Sequence, residues 1–359
     1  MRLLALTLLA APALGLGAPA RADDLRIISI DVEGGAATLY ITPQGRSVLI
    51  DTGWPRGRGG PRSGPGGPPV PSSPASAERI VAAARAAGLT RLDHVIVTHY
   101  HIDHVGGFAE LATLMPIGEV IDHGPNREPL PAGLSPAAAA SAPATVYPQY
   151  VAARAGMKHR TMQAGQRLRI GGLELVAVHS DGVLAPPQPG AGAAGVGCDE
   201  PATMAENGGE ENPRSLGLLL RWGKARIVSL ADATWTLEHG LVCPRNRIGR
   251  ADLMFADNHG SAVSNPPALA ASLRPRVVVF NNGPTKGADG VVLERYKALP
   301  GVAVWQLHGA TRTPAANTAP ERIVNLDPFG NANLAITVSR EARITIRNPR
   351  NGLSETYVP

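Results

Sequence analysis

Short apolar runs, cut by Gly, Pro and Asp, recur along the whole chain, and most read as strands. Leu25-Arg26-Ile27-Ile28-Ser29-Ile30-Asp31 opens the series. Gly34-Gly35 turns the chain, residues 37–42 return, Pro43-Gln44-Gly45 turn it again, and Ser47-Val48-Leu49-Ile50 end at Asp51-Thr52-Gly53. Short strands joined by tight glycine turns predict a β-meander. Ser76 is then expected to cap a helix whose apolar stripe is Ile80, Ala83, Ala84 and Ala87, with Gly88 ending it. A strand over 92–98, a short helix over Phe108–Leu114, a strand at 120–121 and a helix over 145–155 follow. The pattern then gives hairpins at 167–178 and 216–230, and strands at Leu253–Phe255, Val277–Phe280 and 302–307. Helices at 265–273 and 291–299 alternate with them, and a hairpin of Leu334–Val338 with 342–346 closes the chain.

One run carries more than a fold signal. Thr98-His99-Tyr100-His101-Ile102-Asp103-His104-Val105-Gly106-Gly107 directly follows the apolar Val95-Ile96-Val97. Imidazole nitrogens and carboxylate oxygens are ligands that zinc and similar divalent ions prefer. In extended backbone alternate side chains share a face, so His99 and His101 point the same way and can bind one ion together. Asp103 and His104 come where the chain turns toward the glycine pair, and address a second position. Two ions about 3.5–4 Å apart can jointly activate water for hydrolysis.

Other predicted strands also end in polar chemistry. Asp232 follows the strand at 225–230, as a carboxylate bridging two ions would, or as an N-cap for a helix at 234–238. His259, between the strand Leu253–Phe255 and Gly260, reads as a ligand of the second ion. His123 stands at a strand exit as pocket wall, ligand or plain loop histidine, and His179 reads as structural. The Pro/Gly-rich stretch at 185–197 is assigned no chemistry.

Composition sets bounds. The 359 residues are 44% hydrophobic and 18% charged, enough for one large domain or two small ones. Aromatics are 4%, so the core is expected to be aliphatic. Residues 54–76 form a Pro/Gly-rich loop carrying Arg56, Arg58 and Arg62, too poor in apolar residues to build a core. Residues 1–22 read as a signal peptide: Arg2, an apolar stretch over 3–16, and Ala20-Arg21-Ala22 as the cleavage site. The apolar part is short for a span of about 20 residues. The expected product is a domain over 23–359, periplasmic or secreted, with no membrane contact after cleavage. Removing Arg2 and Arg21 from the +5 charge leaves 32 basic against 29 acidic residues, +3, with no basic block, so no stable nucleic-acid partner is expected. In an oxidising compartment Cys198 and Cys243 are expected to pair, closing a loop for about 4 kcal/mol. Free thiols and a thiolate metal ligand are the alternatives.

The His99-x-His101-x-Asp103-His104 run resembles the signature of the metallo-β-lactamase-fold hydrolases. The resemblance implies an α/β fold, the metallo-β-lactamase-like αββα sandwich, with the site along one edge between the sheets. It makes His99 and His101 ligands of a first ion, Asp103, His104 and His259 ligands of a second, and Asp232 the bridge. Asp51, in Asp-Thr-Gly, would lie below the metals and orient their ligands, or act as a simple turn cap. Within that superfamily the chain is most similar to the soluble hydrolase domain of DNA-uptake competence proteins. The shared features are Ile30-Asp31-Val32, Leu49-Ile50-Asp51-Thr52-Gly53, His259-Gly260-Ser261 and Leu293-Glu294-Arg295. It departs in having Ala36 where an aspartate is usual, Asn258-His259 in place of two histidines, and no membrane spans. The third first-ion histidine would fall near Glu211-Asn212-Pro213-Arg214-Ser215, which holds none. An Asn or Glu oxygen, water, His123 or His179 would fill that slot.

The function these readings imply is an exported hydrolase using one or two zinc ions, with manganese also suited to an oxygen-richer site. Asp103 would orient the attacking water or take its proton. Arg214, Asn282 or His308 would stabilise oxyanion charge or protonate the leaving group. A phosphodiester or other small-molecule substrate is expected, phosphodiesters ahead of lactones and β-lactams. A non-catalytic metal- or ligand-binding module is the alternative.

Overall fold

The computed structural model describes residues 23–59, 74–204 and 209–359. The expected signal peptide and Arg62 lie outside the described residues. The chain begins as the expected antiparallel meander, β1 (Leu25–Ser29), β2 (Thr38–Ile41) and β3 (Ser47–Ile50). It continues in parallel through β4 (Leu92–Ile96), β5 (Ile117–Asp122) and β6 (Lys158–Thr161). Parallel neighbours need crossovers, and helices supply them. Helix α1 (Ser76–Ala86) links β3 to β4. Helices α2 (Ile102–Val105) and α3 (Phe108–Leu114) link β4 to β5, and α4 (Pro136–Ala139) and α5 (Pro143–Ala153) link β5 to β6.

A second sheet starts with the antiparallel strands β7 (Arg167–Ile170), β8 (Leu173–Ser180), β9 (Val183–Leu184), β10 (Gly217–Trp222) and β11 (Ala225–Ser229). It goes on in parallel as β12 (Leu253–Phe255), β13 (Val277–Phe280), β14 (Ala303–His308) and β15 (Ile323–Asn325). Helices α6 (Trp235–Val242), α7 (Pro267–Leu273) and α8 (Gly290–Lys297) connect these parallel strands. The chain then returns to the first sheet as β16 (Leu334–Val338), β17 (Ile344–Arg347) and β18 (Ser354–Tyr357), with β16 antiparallel to β1.

Alternation along the strands builds four layers. Tyr40, Val48, Ile50, Ile96 and Ile121 point inward and meet Leu175, Leu218, Leu220, Ile227 and Phe255 between the sheets. Leu39, Leu49, Val95 and Val120 face outward under Ile80, Ala84, Phe108 and Leu111 of the first helical layer. Val228, Met254 and Val278 face outward under Leu241, Leu269 and Tyr296 of the second. Both faces of the central strands of each sheet are covered, which is why β12 and β13 read as unbroken apolar runs. The expected αββα sandwich and its aliphatic core are the architecture observed.

Several boundaries differ from the sequence reading. Ser76 opens α1 rather than capping it: Glu78 reaches back to the Ala75 N–H at 2.9 Å, and Ser76 Oγ accepts the Trp54 N–H at 3.1 Å. The strand expected over 92–98 ends at Ile96, although the Val97 N–H still donates to the Ile121 carbonyl at 2.8 Å. The C-terminal hairpin gains a third strand, β18, which alternation alone did not mark because both its faces are partly exposed. Cys198 and Cys243 form a disulfide, which excludes free thiols and a thiolate ligand. Among the described residues no helix is long and apolar enough to cross a membrane.

Candidate metal centre

The polar strand exits meet at one edge of the sandwich. His99 and His101 follow β4 in irregular backbone, and Asp103 and His104 lie on the short α2. Asp232 follows β11, and His259 follows β12 in a 3-10 turn. β11 and β12 are parallel neighbours, so their exits open on the same side, and the β4 exit of the other sheet meets them there. The glycine pair after the histidines has a packing role. A Cβ on Gly106 would lie 2.2 Å from the Ile102 carbonyl and 2.3 Å from Pro55 Cδ, and one on Gly107 would lie 2.2 Å from the Thr52 carbonyl. The pair lets α2 press against the loop after β3, which brings Asp51 beneath the histidines.

Two sets of three side chains result: His99, His101 and Asp232, and Asp103, His104 and His259. Within each set the ligand atoms lie within 4.8 Å of one another. His99 Nε2 is 3.0 Å from His101 Nδ1 and 3.9 Å from Asp232 Oδ2. His104 Nε2 is 3.1 Å from His259 Nε2, 3.4 Å from Asp103 Oδ2 and 3.2 Å from Asp232 Oδ1. His259 Nε2 is 3.1 Å from Asp103 Oδ2 and 3.6 Å from Asp232 Oδ1. A tetrahedral ion with bonds of about 2.0–2.1 Å has ligand–ligand edges of about 3.3–3.4 Å. The donor set and its spacing therefore fit a divalent cation. Asp232 belongs to the first set and also faces the second through His104 and His259, the placement a bridging carboxylate needs.

The groups behind these side chains fix which nitrogen faces inward. Asp51 Oδ2 lies 2.8 Å from His104 Nδ1 and also accepts the Thr98 hydroxyl at 2.8 Å, while Asp51 Oδ1 accepts the Thr98 N–H at 2.8 Å. The Thr98 hydroxyl in turn lies 3.0 Å from His99 Nδ1. The Asn281 carbonyl lies 3.1 Å from His259 Nδ1. A carbonyl only accepts, so His259 Nδ1 donates and Nε2 presents its lone pair. Asp51, Ala231, Asn258 and His259 all hold positive φ, between 48° and 61°. Such left-handed backbone costs energy in non-glycine residues, and here it is spent aiming groups at one spot.

The electrostatics call for a cation. Burial works to raise the Asp103 carboxyl, but Lys286 and His104 hold it well below the usual carboxylate range. Burial likewise works to raise Asp232, and His104 and His259 hold it low. His99 is pushed well down, first by burial and then by His104. His104 goes the other way: burial opposes its charge, but Asp232, Asp103 and Asp51 hold it well above its ordinary value. The carboxylates thus draw positive charge onto an imidazole, as expected of a cage that would accept a metal ion.

The proposed ancillary groups lie elsewhere. His308 is fully buried and binds Asp31 Oδ1 through Nε2 at 2.9 Å, away from the two sets. Asp31 and Glu33 are in turn held by Arg79 at 3.0 and 2.7 Å, so this third acidic cluster already has its cation. Arg214 pairs with Asp181 at 2.9 Å and Glu210 at 3.6 Å, so its charge is already taken by neighbouring carboxylates. Asn282 is buried and donates to the His308 carbonyl at 2.8 Å. His123 lies 3.2 Å from Glu211, whose other contact is the Tyr100 N–H, and His179 is buried against Gly217. None of these side chains enters either set of three.

Lys286 was not anticipated. It follows β13, touches Asp103 Oδ2 with its ammonium and lies 3.2 Å from His259 Nε2. Its only sequence signal is a lone lysine between two loop glycines, Gly283 and Gly287.

The sequence pattern of the Metallo-beta-lactamase superfamily matches residues 31–199. No curated protein is detectably similar in sequence. Among solved structures, the chain is similar to Tm1679, a metal-dependent hydrolase of the beta-lactamase superfamily, at 15% identity over 79% of this chain and 95% of that one, TM-score 0.43. It is similar to a diphosphatase of the PhnP family at 14% identity over 78% and 94%, TM-score 0.40. A third is the CmlA beta-hydroxylase, at 18% identity over 80% of this chain and 52% of that one, TM-score 0.42. The chain thus spans about half the length of that protein, which is described as a diiron enzyme from Streptomyces venezuelae.

Proposed function

From a metallo-β-lactamase superfamily domain over residues 31–199, in a fold whose members are generally metal-dependent hydrolases, we propose that this chain is an exported metal-dependent hydrolase acting on phosphodiesters. One observation carries the reading: side chains from three separate strand exits converge with ligand–ligand spacings suited to a divalent cation. His99, His101 and Asp232 would hold one ion, and Asp103, His104 and His259 would receive a second. A bound divalent ion supplies Lewis acidity and makes water acidic enough to attack at neutral pH. The chain's own groups set the geometry. Asp51 fixes the His104 ring, Asn281 fixes the His259 ring, and the Asp103 carboxylate stands beside them to orient the attacking water. Zinc and manganese both suit this nitrogen-and-oxygen donor set.

The phosphodiester assignment is supported by the motifs shared with competence-protein hydrolase domains around Asp51 and His259-Gly260-Ser261. Export is supported by the apolar, cleavable-looking start of the chain and by the Cys198–Cys243 disulfide, a bond that persists in oxidising compartments. The test is hydrolysis of bis(p-nitrophenyl) phosphate, a chromogenic lactone and a chromogenic β-lactam by protein of measured metal content. Phosphodiester turnover is expected, falling about 100-fold or more in Asp232→Ala and His101→Ala while the fold persists. Turnover of the lactone or β-lactam alone reassigns the substrate. Metal-loaded protein that hydrolyses none of the three refutes the hydrolase and leaves a metal-binding module.

A further inference from the structure

Lys286 is held in place by the same backbone that places His259. Gly283 packs on Gly34, where an added Cβ would lie 2.9 Å from the Gly34 backbone. Gly287, at φ +74°, lies against His259, and a Cβ there would be 2.3 Å from the His259 carbonyl. The Ala288 N–H donates to that same carbonyl at 2.8 Å, and the Gly283 N–H donates to the Lys286 carbonyl at 3.0 Å. The loop is therefore clamped on both sides of the lysine. The side chain runs past the Trp54 ring, with Nζ 5.0 Å from its centre. Its ammonium ends against Asp103 Oδ2 and 3.2 Å from His259 Nε2. His259 Nδ1 donates to Asn281, so the lone pair facing Lys286 is the one a metal ion would use.

We propose that Lys286 is a built-in cation at the Asp103, His104 and His259 set, where it competes with a divalent ion. One metal ion then binds tightly at His99, His101 and Asp232, and a second binds weakly. This deepens the metal-dependent reading above and rests on it. Charge balance points the same way. Asp51, Asp103 and Asp232 bring three carboxylates to the centre. The Lys286 ammonium compensates one of them, and a single divalent ion compensates the other two. A second divalent ion would crowd the ammonium against the buried Asp103 and His259 side chains, where like charges are only partly screened. Removing the ammonium removes that repulsion and frees Asp103 and His259.

The experiment compares the wild-type protein with Lys286→Met and Lys286→Ala. Each is stripped with a chelator, dialysed against zinc or manganese, and its bound metal counted by mass spectrometry and calorimetric titration. The Lys286 side chain is 37% exposed, so both variants should fold, and a thermal melt checks it. One tight equivalent is expected in the wild type and two in both variants, with second-site affinity rising at least about tenfold. Two tight equivalents in the wild type, or one in both variants, overturns this inference and leaves the hydrolase reading standing. No metal in any of the three proteins overturns both.

Discussion

Asp51 makes a demanding test of how the centre is held. Its carboxylate accepts three hydrogen bonds at 2.8 Å, from the Thr98 N–H, the Thr98 hydroxyl and His104 Nδ1. A carboxylate has no proton to give, so His104 Nδ1 must carry the hydrogen. That leaves Nε2 to turn its lone pair toward a metal. Asp51→Asn keeps the size, and Asn tolerates the left-handed backbone at φ 61°. An amide, however, has one donor end. With that end toward His104, Nδ1 becomes an acceptor and the proton moves to Nε2, which removes the ligand lone pair. With the amide flipped, its N–H₂ meets the Thr98 N–H, and a buried donor is left without an acceptor at about 1–3 kcal/mol. At about 1.4 kcal/mol per tenfold, the second route weakens metal binding at the Asp103, His104 and His259 set about 5- to 140-fold. That agrees with the 10–100-fold usually lost when the group behind a ligating histidine is removed. Competitive titration against a chromophoric chelator near pH 7 measures the change, and thermal melting of the metal-free protein confirms the fold. Unchanged affinity for the second, weaker equivalent in a folded Asp51→Asn protein refutes the reasoning, because His104 would then need no orientation from Asp51.

Replacing both Cys198 and Cys243 by serine opens a loop of sequence separation 45 and should lower the unfolding free energy by about 4 kcal/mol in urea titration; an unshifted midpoint counts against this. Gly217→Ala would set a Cβ 1.9 Å from the buried His179 ring, and should cost about 1–3 kcal/mol or more, with His179→Ala restoring part of it in the double variant. Burial lowers the His179 pKa from 6.5 to about 4, so between those values the unfolded chain binds more protons than the folded one. The stability His179 contributes is therefore full above about pH 6.5 and is lost as pH falls toward 4, by about 3 kcal/mol. The difference in unfolding free energy between wild type and His179→Asn should shrink over that window, and a constant difference would show that His179 does not titrate there.

Much of this molecule was legible along the chain. Strand positions follow from local alternation and glycine turns, and helix positions from apolar stripes, because side-chain direction is set by backbone geometry within a few residues. The chemistry of His99, His101, Asp103 and His104 is local too: the six-residue run from His99 to His104 fixes both the donor types and their close spacing. Asp232 and His259 were found because each follows a strand, and the parallel strands of such a sheet open their C-terminal ends on one side. Even so, His99 and His101 converge from irregular backbone rather than from the strand expected to align them.

Which distant group meets which was decided by packing alone. His308 and Arg214 carry suitable chemistry, but Asp31 and Asp181 reached them first, His308 in a buried hydrogen bond and Arg214 in a partly buried ion pair. Lys286 had no motif, yet contacts with Gly34 and with the His259 carbonyl carry its ammonium into the Asp103, His104 and His259 set. The return of the last three strands to the first sheet is of the same kind, since β16 pairs with a strand some three hundred residues earlier. Residue identity and short spacing determined the candidate metal-binding side chains and the layers of this protein. Closure between segments far apart in sequence decided which charges share the centre, because electrostatic and hydrogen-bond energies depend on distances that only the assembled sandwich sets.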